Sequence, residues 1–233
     1  RHTRSLCDWS SDVCSSDLGE KGGNSIIKAS KSIKIEAGEG VPYELTQRSR
    51  NSPTEPSKFD FNKTNSAIIL TTFGKRDVGE LKVETESLTL QDGAFISTTT
   101  SGQGNAGNIT VSARDIEIIG KSPGFEELGS RITAEARSRA TGAAGTITIY
   151  TETLNLRNEA EIIVKSESEA PKSAAGELVI NSNNIRLENK AKLTAETKAG
   201  SQGNITINNN KDLILRDKSK ITTNATGTRS EEH

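Results

Sequence analysis

From Gly145 to Val164 the chain reads G-T-I-T-I-Y-T-E-T-L-N-L-R-N-E-A-E-I-I-V, three short runs in which aliphatic and polar residues alternate. Counted from Gly145, aliphatics stand at +2 and +4 (Ile147, Ile149), at +9 and +11 (Leu154, Leu156), and at +17 and +19 (Ile162, Val164). A small residue, Ala160, stands at +15. Alternation with a period of two predicts strands that bury one face. Three strands packed into one such stretch leave no room for crossover helices.

The same offsets recur. From Gly79 they fall on Leu81 and Val83, Leu88 and Leu90, then Ala94, Ile96 and Thr98; from Gly176, on Leu178 and Ile180, Ile185 and Leu187, then Ala191, Leu193 and Ala195. Gly203 matches with one extra residue, through Ile205, Ile207, Leu213, Leu215, Ser219, Ile221 and Thr223. Gly107 gives Ile109, Val111, Ile116 and Ile118, but its third strand (Ile132, Ala134, Ala136) is delayed by an insertion around Pro123 and Gly124. A weaker copy opens the chain, with Ile26, Ile27, Ile33 and Ile35, and then Ile68 and Leu70 after a long break. The anchors Gly79, Gly107, Gly145, Gly176 and Gly203 lie 28, 38, 31 and 27 residues apart. Fixed offsets with length variation confined to loops are the mark of a solenoid.

The expected fold is all-β, a right-handed parallel β-helix of about six three-strand coils. Each strand pairs with its equivalent one rung away, about 4.8 Å distant, so the coils form a prism ~25–30 Å long. The hand follows from the right-handed bias of parallel crossover connections. Like residues stack inward: Leu81, Ile109, Ile147, Leu178 and Ile205 from the first strand, and Leu90, Ile118, Leu156, Leu187 and Leu215 from the second. An antiparallel sandwich would explain the alternation but not the fixed offsets. All five prolines fall outside the proposed strands, as a backbone ladder requires. Glycines at the coil starts suit a corner that needs positive φ or close backbone approach. Residues 38–65 break the pattern with Pro42, Pro53, Pro56, Tyr43, Phe59 and Phe61. They read as a loop insertion, either a binding loop or, the favoured alternative, a tolerated excursion.

Composition agrees with a coil more than with a globule. Hydrophobic residues make up 31% and aromatics 3%, with 20 glycines, which would give a globule a thin core. Stacked rungs bury small aliphatics in continuous columns instead. The formal net charge is −1, so no electrostatic footprint points to nucleic acid or an anionic membrane.

The ends look foreign to this pattern. Asp8–Leu18 (DWSSDVCSSDL) and Arg229–His233 (RSEEH) resemble the two strands of a common sequencing adapter in translation. Residues 1–18 and 229–233 are therefore expected to be adapter-derived and to contribute nothing to the fold. Residues 19–228, the repeat segment, then contain no Cys, His, Trp or Met and carry a net charge of +1. A disulfide or metal reading of Cys7 and Cys14 loses its basis. The sequence reads as an internal piece of a longer protein, and no signal peptide or membrane-spanning run is visible in it.

Segments such as Gly104-Asn105-Ala106-Gly107-Asn108-Ile109-Thr110-Val111, Leu88-Thr89-Leu90-Gln91-Asp92-Gly93-Ala94-Phe95-Ile96 and Gly203-Asn204-Ile205-Thr206-Ile207 resemble the filamentous haemagglutinin-type repeats of large secreted cyanobacterial proteins. The resemblance covers residues 67–227. It implies a secreted or cell-surface exoprotein of the two-partner secretion kind, with a β-helical shaft used in adhesion. It also implies an outer-membrane two-partner secretion transporter as partner, and a surface ligand on a host cell, a neighbouring cell or a polysaccharide. The secretion-recognition domain that such proteins carry is not visible here.

The search for chemistry is short. Triads and metal sites lose their usual residues with the ends, so no catalytic residue, metal or cofactor is expected. Carboxylate pairs on adjacent rungs would suit the alternative, a β-helix polysaccharide lyase or hydrolase. The outward columns Thr89, Glu117, Asn155, Arg186, Ile214 and Phe95, Arg131, Glu161, Lys192, Lys220 offer none. Glu161 between Arg131 and Lys192 reads as a solvated cross-rung pair. No calcium-binding G-G-x-G-x-D repeat is present. Asn108-Ile-Thr and Asn204-Ile-Thr fit the glycosylation pattern but are also simply first strands. The columns Ser97, Thr133, Ile163, Thr194, Thr222 and Lys82, Thr110, Thr148, Val179, Thr206 could form a threonine array for ice or polysaccharide. Threonine's preference for strands is the favoured explanation of them.

Overall fold

The computed structural model describes residues 13–15, 23–36, 66–123, 125–199 and 203–225. These residues are all β, without a helix, and wind as a parallel β-helix of six coils. The insertion at 38–65 lies outside them, as do residues 229–233 and all of 1–18 but Val13–Ser15.

Strand β1 (Val13–Ser15) precedes the coils. The first coil has β2 (Ser25–Lys28), β3 (Ser32–Glu36) and β4 (Ala67–Thr72); the second has β5 (Leu81–Gln91) and β6 (Phe95–Thr100). The third has β7 (Ile109–Ile119), a hairpin of β8 (Lys121–Ser122) and β9 (Phe125–Gly129), and β10 (Arg131–Ala136). Then follow β11 (Ile147–Arg157) with β12 (Glu161–Ser166), and β13 (Leu178–Glu188) with β14 (Lys192–Thr197). The last coil has β15 (Ile205–Asn209), β16 (Leu213–Leu215) and β17 (Lys220–Ala225). One sheet stacks β1-β4-β6-β10-β12-β14-β17, and the other stacks β2-β5-β7-β11-β13-β15, with β3 and β16 completing its two ends.

Both sheets are parallel throughout, in the register that the offsets predict. Leu81 pairs with Ile109, Ile109 with Ile147, Ile147 with Leu178 and Leu178 with Ile205. Leu90, Ile118, Leu156, Leu187 and Leu215 follow likewise, as do Ile68, Ile96, Ile132, Ile162, Leu193 and Ile221. These columns form one continuous core, in which residues of the inner coils are fully buried. Leu213 and Leu215 keep more than 40% of their surface, because among the described residues no further rung lies beyond them.

The coil differs from the expectation in one respect. In the second to fifth coils the first and second strands are not separate but run on as one strand of 11 residues with a bend in it. At the bend Glu86, Arg114, Glu152 and Asn183 occupy equivalent places and drop out of the ladder. A small hydroxyl residue just before each of three of them bridges the bend. Thr85, Thr151 and Ser182 donate to the carbonyls of Ser87, Thr153 and Asn184 at 3.3, 3.0 and 3.0 Å. Side-chain bonding to nearby backbone is what lets Ser and Thr turn a chain without breaking it.

The other two corners use different devices. Where the coil leaves the long strand, two consecutive residues adopt left-handed φ: Asp92-Gly93, Asn158-Glu159, Asn189-Lys190 and Asp217-Lys218. Where it enters, the rungs touch backbone to backbone. A Cβ on Gly107, Gly145 or Gly176 would lie 2.0, 2.0 or 1.9 Å from the carbonyl oxygen of the glycine one rung before. Close approach, not positive φ, is why these positions are glycine. Inward hydroxyls at the strand ends close this corner: Thr72, Thr100, Ser166 and Thr197 donate to the carbonyls of Arg76, Gly104, Ser173 and Ala199. Buried polar groups thus find partners.

The insertion at Pro123 is the β8–β9 hairpin. Its base is shut by the Ser130 N–H, which donates to the Gly120 carbonyl at 2.8 Å, so the rung resumes as if nothing had intervened. Val13–Ser15, inside the segment read as adapter, pairs with Ile69–Thr71. Pairing to a sheet's edge strand uses backbone groups and makes no demand on the side chains that arrive.

Candidate functional site

The outward columns fall in the predicted register, but not all are solvated. Phe95 and Arg131 are buried, and the Arg131 guanidinium lies 5.1 Å from the centre of the Phe95 ring. Phe95 joins Ala67 and Ile69 in a second apolar cluster on the outer face of the first sheet. Arg131 also donates to the Gly129 carbonyl at 3.3 Å. Arg131 is therefore not the solvated neighbour of Glu161 expected from the sequence, its guanidinium being buried and stacked on a ring. Further along the same column Glu161 pairs with Lys192 at 2.7 Å, and that carboxylate raises the lysine's pKa.

Charges of opposite sign meet across several rungs of the outer faces, although Lys192 and Lys220 are also neighbours. Glu135, Lys165 and Glu196 are successive partners in one column. Lys165 and Glu167 lie 2.6 Å apart. Burial opposes charge on both, yet their hydrogen bond and attraction outweigh it, raising Lys165 and lowering Glu167. Glu84 and Glu188 are lowered by Lys28 and Arg186. No residue pair in the described ladders sets one carboxylate opposite another. No three His, Cys, Asp or Glu side chains gather there as a metal site either, among the described residues.

The two asparagines of the glycosylation pattern are exposed. Asn108 has a structural task, because its Oδ1 accepts the Thr146 N–H at 2.9 Å across the rungs. Asn24 does the same for Glu80, and Asn105 for Ala143. The Gly-Asn pairs of the repeat therefore tie one corner to the next where the ladder is interrupted. Of the threonine columns, Thr110 and Thr206 bond to Glu80 and Glu177 across a rung, at 3.2 and 2.9 Å.

Two grooves follow the corners. The first runs along the left-handed turns, between Lys121, Asn158, Glu159, Asn189, Lys190 and the Asp217-Lys218 pair, with a volume of about 480 Å³. It is ionic. Lys121 and Lys190 reach Glu159 at 2.8 and 2.9 Å and hold its carboxyl below the usual carboxylate range. The second follows the bend of the long strand over the last three coils, with a volume of about 390 Å³. Tyr150, Thr151, Asn181, Ser182, Asn183, Asn208 and Asn210 line it, without a charge among them. Asn208 donates to Asn181 at 2.9 Å and Asn210 to Asn183 at 3.0 Å, two amide ladders side by side. The columns followed in the sequence passed this groove by. Its signal is nonetheless present, as asparagines at +5 and +7 from both Gly176 and Gly203.

No family model, curated protein or solved structure matches the chain. No helix among the described residues is long and apolar enough to cross a membrane.

Proposed function

We propose that this segment is a non-catalytic structural and adhesive shaft, one stretch of a larger haemagglutinin-like exoprotein displayed on a cell surface. The observation that supports it best is the uninterrupted stack. Six coils share one core and two parallel sheets, and each coil leans only on its neighbours, which suits a structure that spans distance. The described ladders pair no carboxylate with another, whereas glycoside hydrolysis requires two carboxyl groups working together. On this reading an outer-membrane transporter of the two-partner secretion kind exports the chain, in keeping with the resemblance of its repeats.

The test is the parent reading frame together with the location of its product. The expected result is a long chain of many such coils behind a secretion domain, detected on intact cells by antibody against this segment. A short single-domain chain with an acidic cleft, or a product confined to the cytoplasm, overturns the proposal.

A further inference from the structure

We propose that the bend groove over the last three coils is a binding site for an elongated, uncharged glycan, laid along the coil axis with one sugar against Tyr150. This deepens the adhesive reading by naming a ligand class, and it rests on that reading.

Four observations carry it. Tyr150 keeps 51% of its surface at one end of the groove, although large aromatics in this chain are few. An aromatic ring that is apolar in its body and polar at its tip is suited to the mixed faces of a sugar ring. Beyond it, Asn181 and Asn183 on one rung are repeated by Asn208 and Asn210 on the next. Each amide offers both acceptor and donor atoms, the pairing that a hydroxyl group needs.

The amides are also held in place before any ligand arrives. The two ladder bonds fix their planes, and Asn181 further donates to the Ile149 carbonyl at 3.5 Å. Each ladder bond uses one donor of one amide and one acceptor site of the other, which leaves further hydrogen-bonding capacity facing the groove. Preorganisation of this kind removes part of the ordering cost of binding. Finally, the lining has no charge, whereas the groove at the other corner is ionic. Glu152 stands at the bend one rung before Asn183, and Lys211 follows Asn210, but neither side chain lines the groove. An anionic polysaccharide would find lysines at the left-handed corner and none in this groove. A peptide strand would instead add through its backbone along an unpaired sheet edge, which among the described residues is offered here by β15 at the last rung, whereas this groove crosses the rungs and is lined by their side chains. The groove crosses three rungs, about 10 Å along the axis, which is long enough for a short run of sugars.

The test presents the full chain, Tyr150→Ala, and the double variant Asn183→Ala/Asn210→Ala to an array of uncharged and acidic glycans. Affinity is then measured by titration with the best uncharged oligosaccharide. Urea midpoints of the variants are recorded alongside, since all three positions are at the surface and folding should be retained. The expected result is retention on at least one uncharged glycan, with affinity lowered about tenfold or more by either variant. Binding to no uncharged glycan overturns the proposal, as does binding that neither variant weakens. Retention on sulfated or carboxylated glycans alone would move adhesion to the lysine-bearing corner, and so would also overturn it. None of these failures touches the shaft reading, which stands or falls on the parent frame and its location.

Discussion

Two corners of the coil do the same geometric task under opposite rules. At the corner entering the long strand, the carbonyl of one glycine lies where the Cβ of the next would be, from Gly79 through Gly176. No side chain fits there, so the residue type is dictated by the neighbouring rung. At the corner leaving it, left-handed φ does the turning, and Asp, Asn, Glu, Lys and Gly all occupy the two places. Left-handed backbone strains a side chain without excluding it. The first corner is therefore closed to variation, and the second can carry chemistry at a modest cost in stability. The ionic groove at Glu159 and Lys190 is what that freedom has produced.

The comparison depends first on the register, which sets what faces in. Leu156 is enclosed between Ile118 and Leu187, with Asn155 beside it facing out. Leu156→Asp buries an unpaired carboxylate and is expected to lower unfolding stability by about 3 kcal/mol or more. Asn155→Asp should change it by less than about 0.5 kcal/mol. Urea unfolding of both decides the point, and equal effects would mean that the faces are exchanged.

Gly145→Ala probes the closed corner. The Gly107 carbonyl must move to admit the methyl group, so a loss of about 1–3 kcal/mol is expected, as for other overpacked sites. Retention of full stability would show that the rungs are not in contact there. Lys218→Gly probes the open corner with the opposite sign. Lys218 has φ of 65°, and glycine should relieve the strain and raise stability by up to about 1 kcal/mol. A loss at this position would place the two corners under the same rule.

The smallest effect is in pH. The carboxyls of Glu84, Glu159, Glu167 and Glu188 are all held below the usual carboxylate range by their lysine and arginine partners. A depressed folded pKa contributes stability above the unfolded value and loses it as pH falls through the folded one. The urea midpoint should thus be level from neutrality to about pH 5 and decline below 4.5. Glu159→Gln should make that decline shallower, and an unchanged slope would show that the ion pairs at the open corner are without weight.

The sequence carried the core in plain view. Because each rung stacks on an equivalent residue, Leu90, Ile118, Leu156 and Leu187 repeat at a fixed offset from a glycine, and an offset survives any change of loop. Glycine at Gly107, Gly145 and Gly176 was legible as a requirement, though whether for φ or for space was settled only by the neighbouring carbonyl. The bend at Glu86, Arg114, Glu152 and Asn183 was not legible, since a polar stretch between two aliphatic pairs reads equally as a turn. Nor were the left-handed pairs at Asn158 and Asn189, where no glycine marks the backbone. Phe95 and Arg131 are buried although their positions in the alternation face outward, and periodicity says nothing of what packs on an outer face. The asparagine groove was missed for a related reason: its residues sit at the bend, where the strand offsets had no prediction to make.

The hairpin at Pro123 has a further consequence. Its two ends meet at the bond between Ser130 and Gly120, while Lys121 and Ser122 at its base touch the neighbouring rungs at Glu159 and Gly93. A segment spliced in at that point need only begin and finish close together. The tip beyond Ser122 is thus where the coil can acquire, lengthen or exchange a side lobe with the contacts at its base kept. Grafting a folded tag between Ser122 and Phe125 is the direct use of it, and it would turn the solenoid into a display rod with its passenger at a known height.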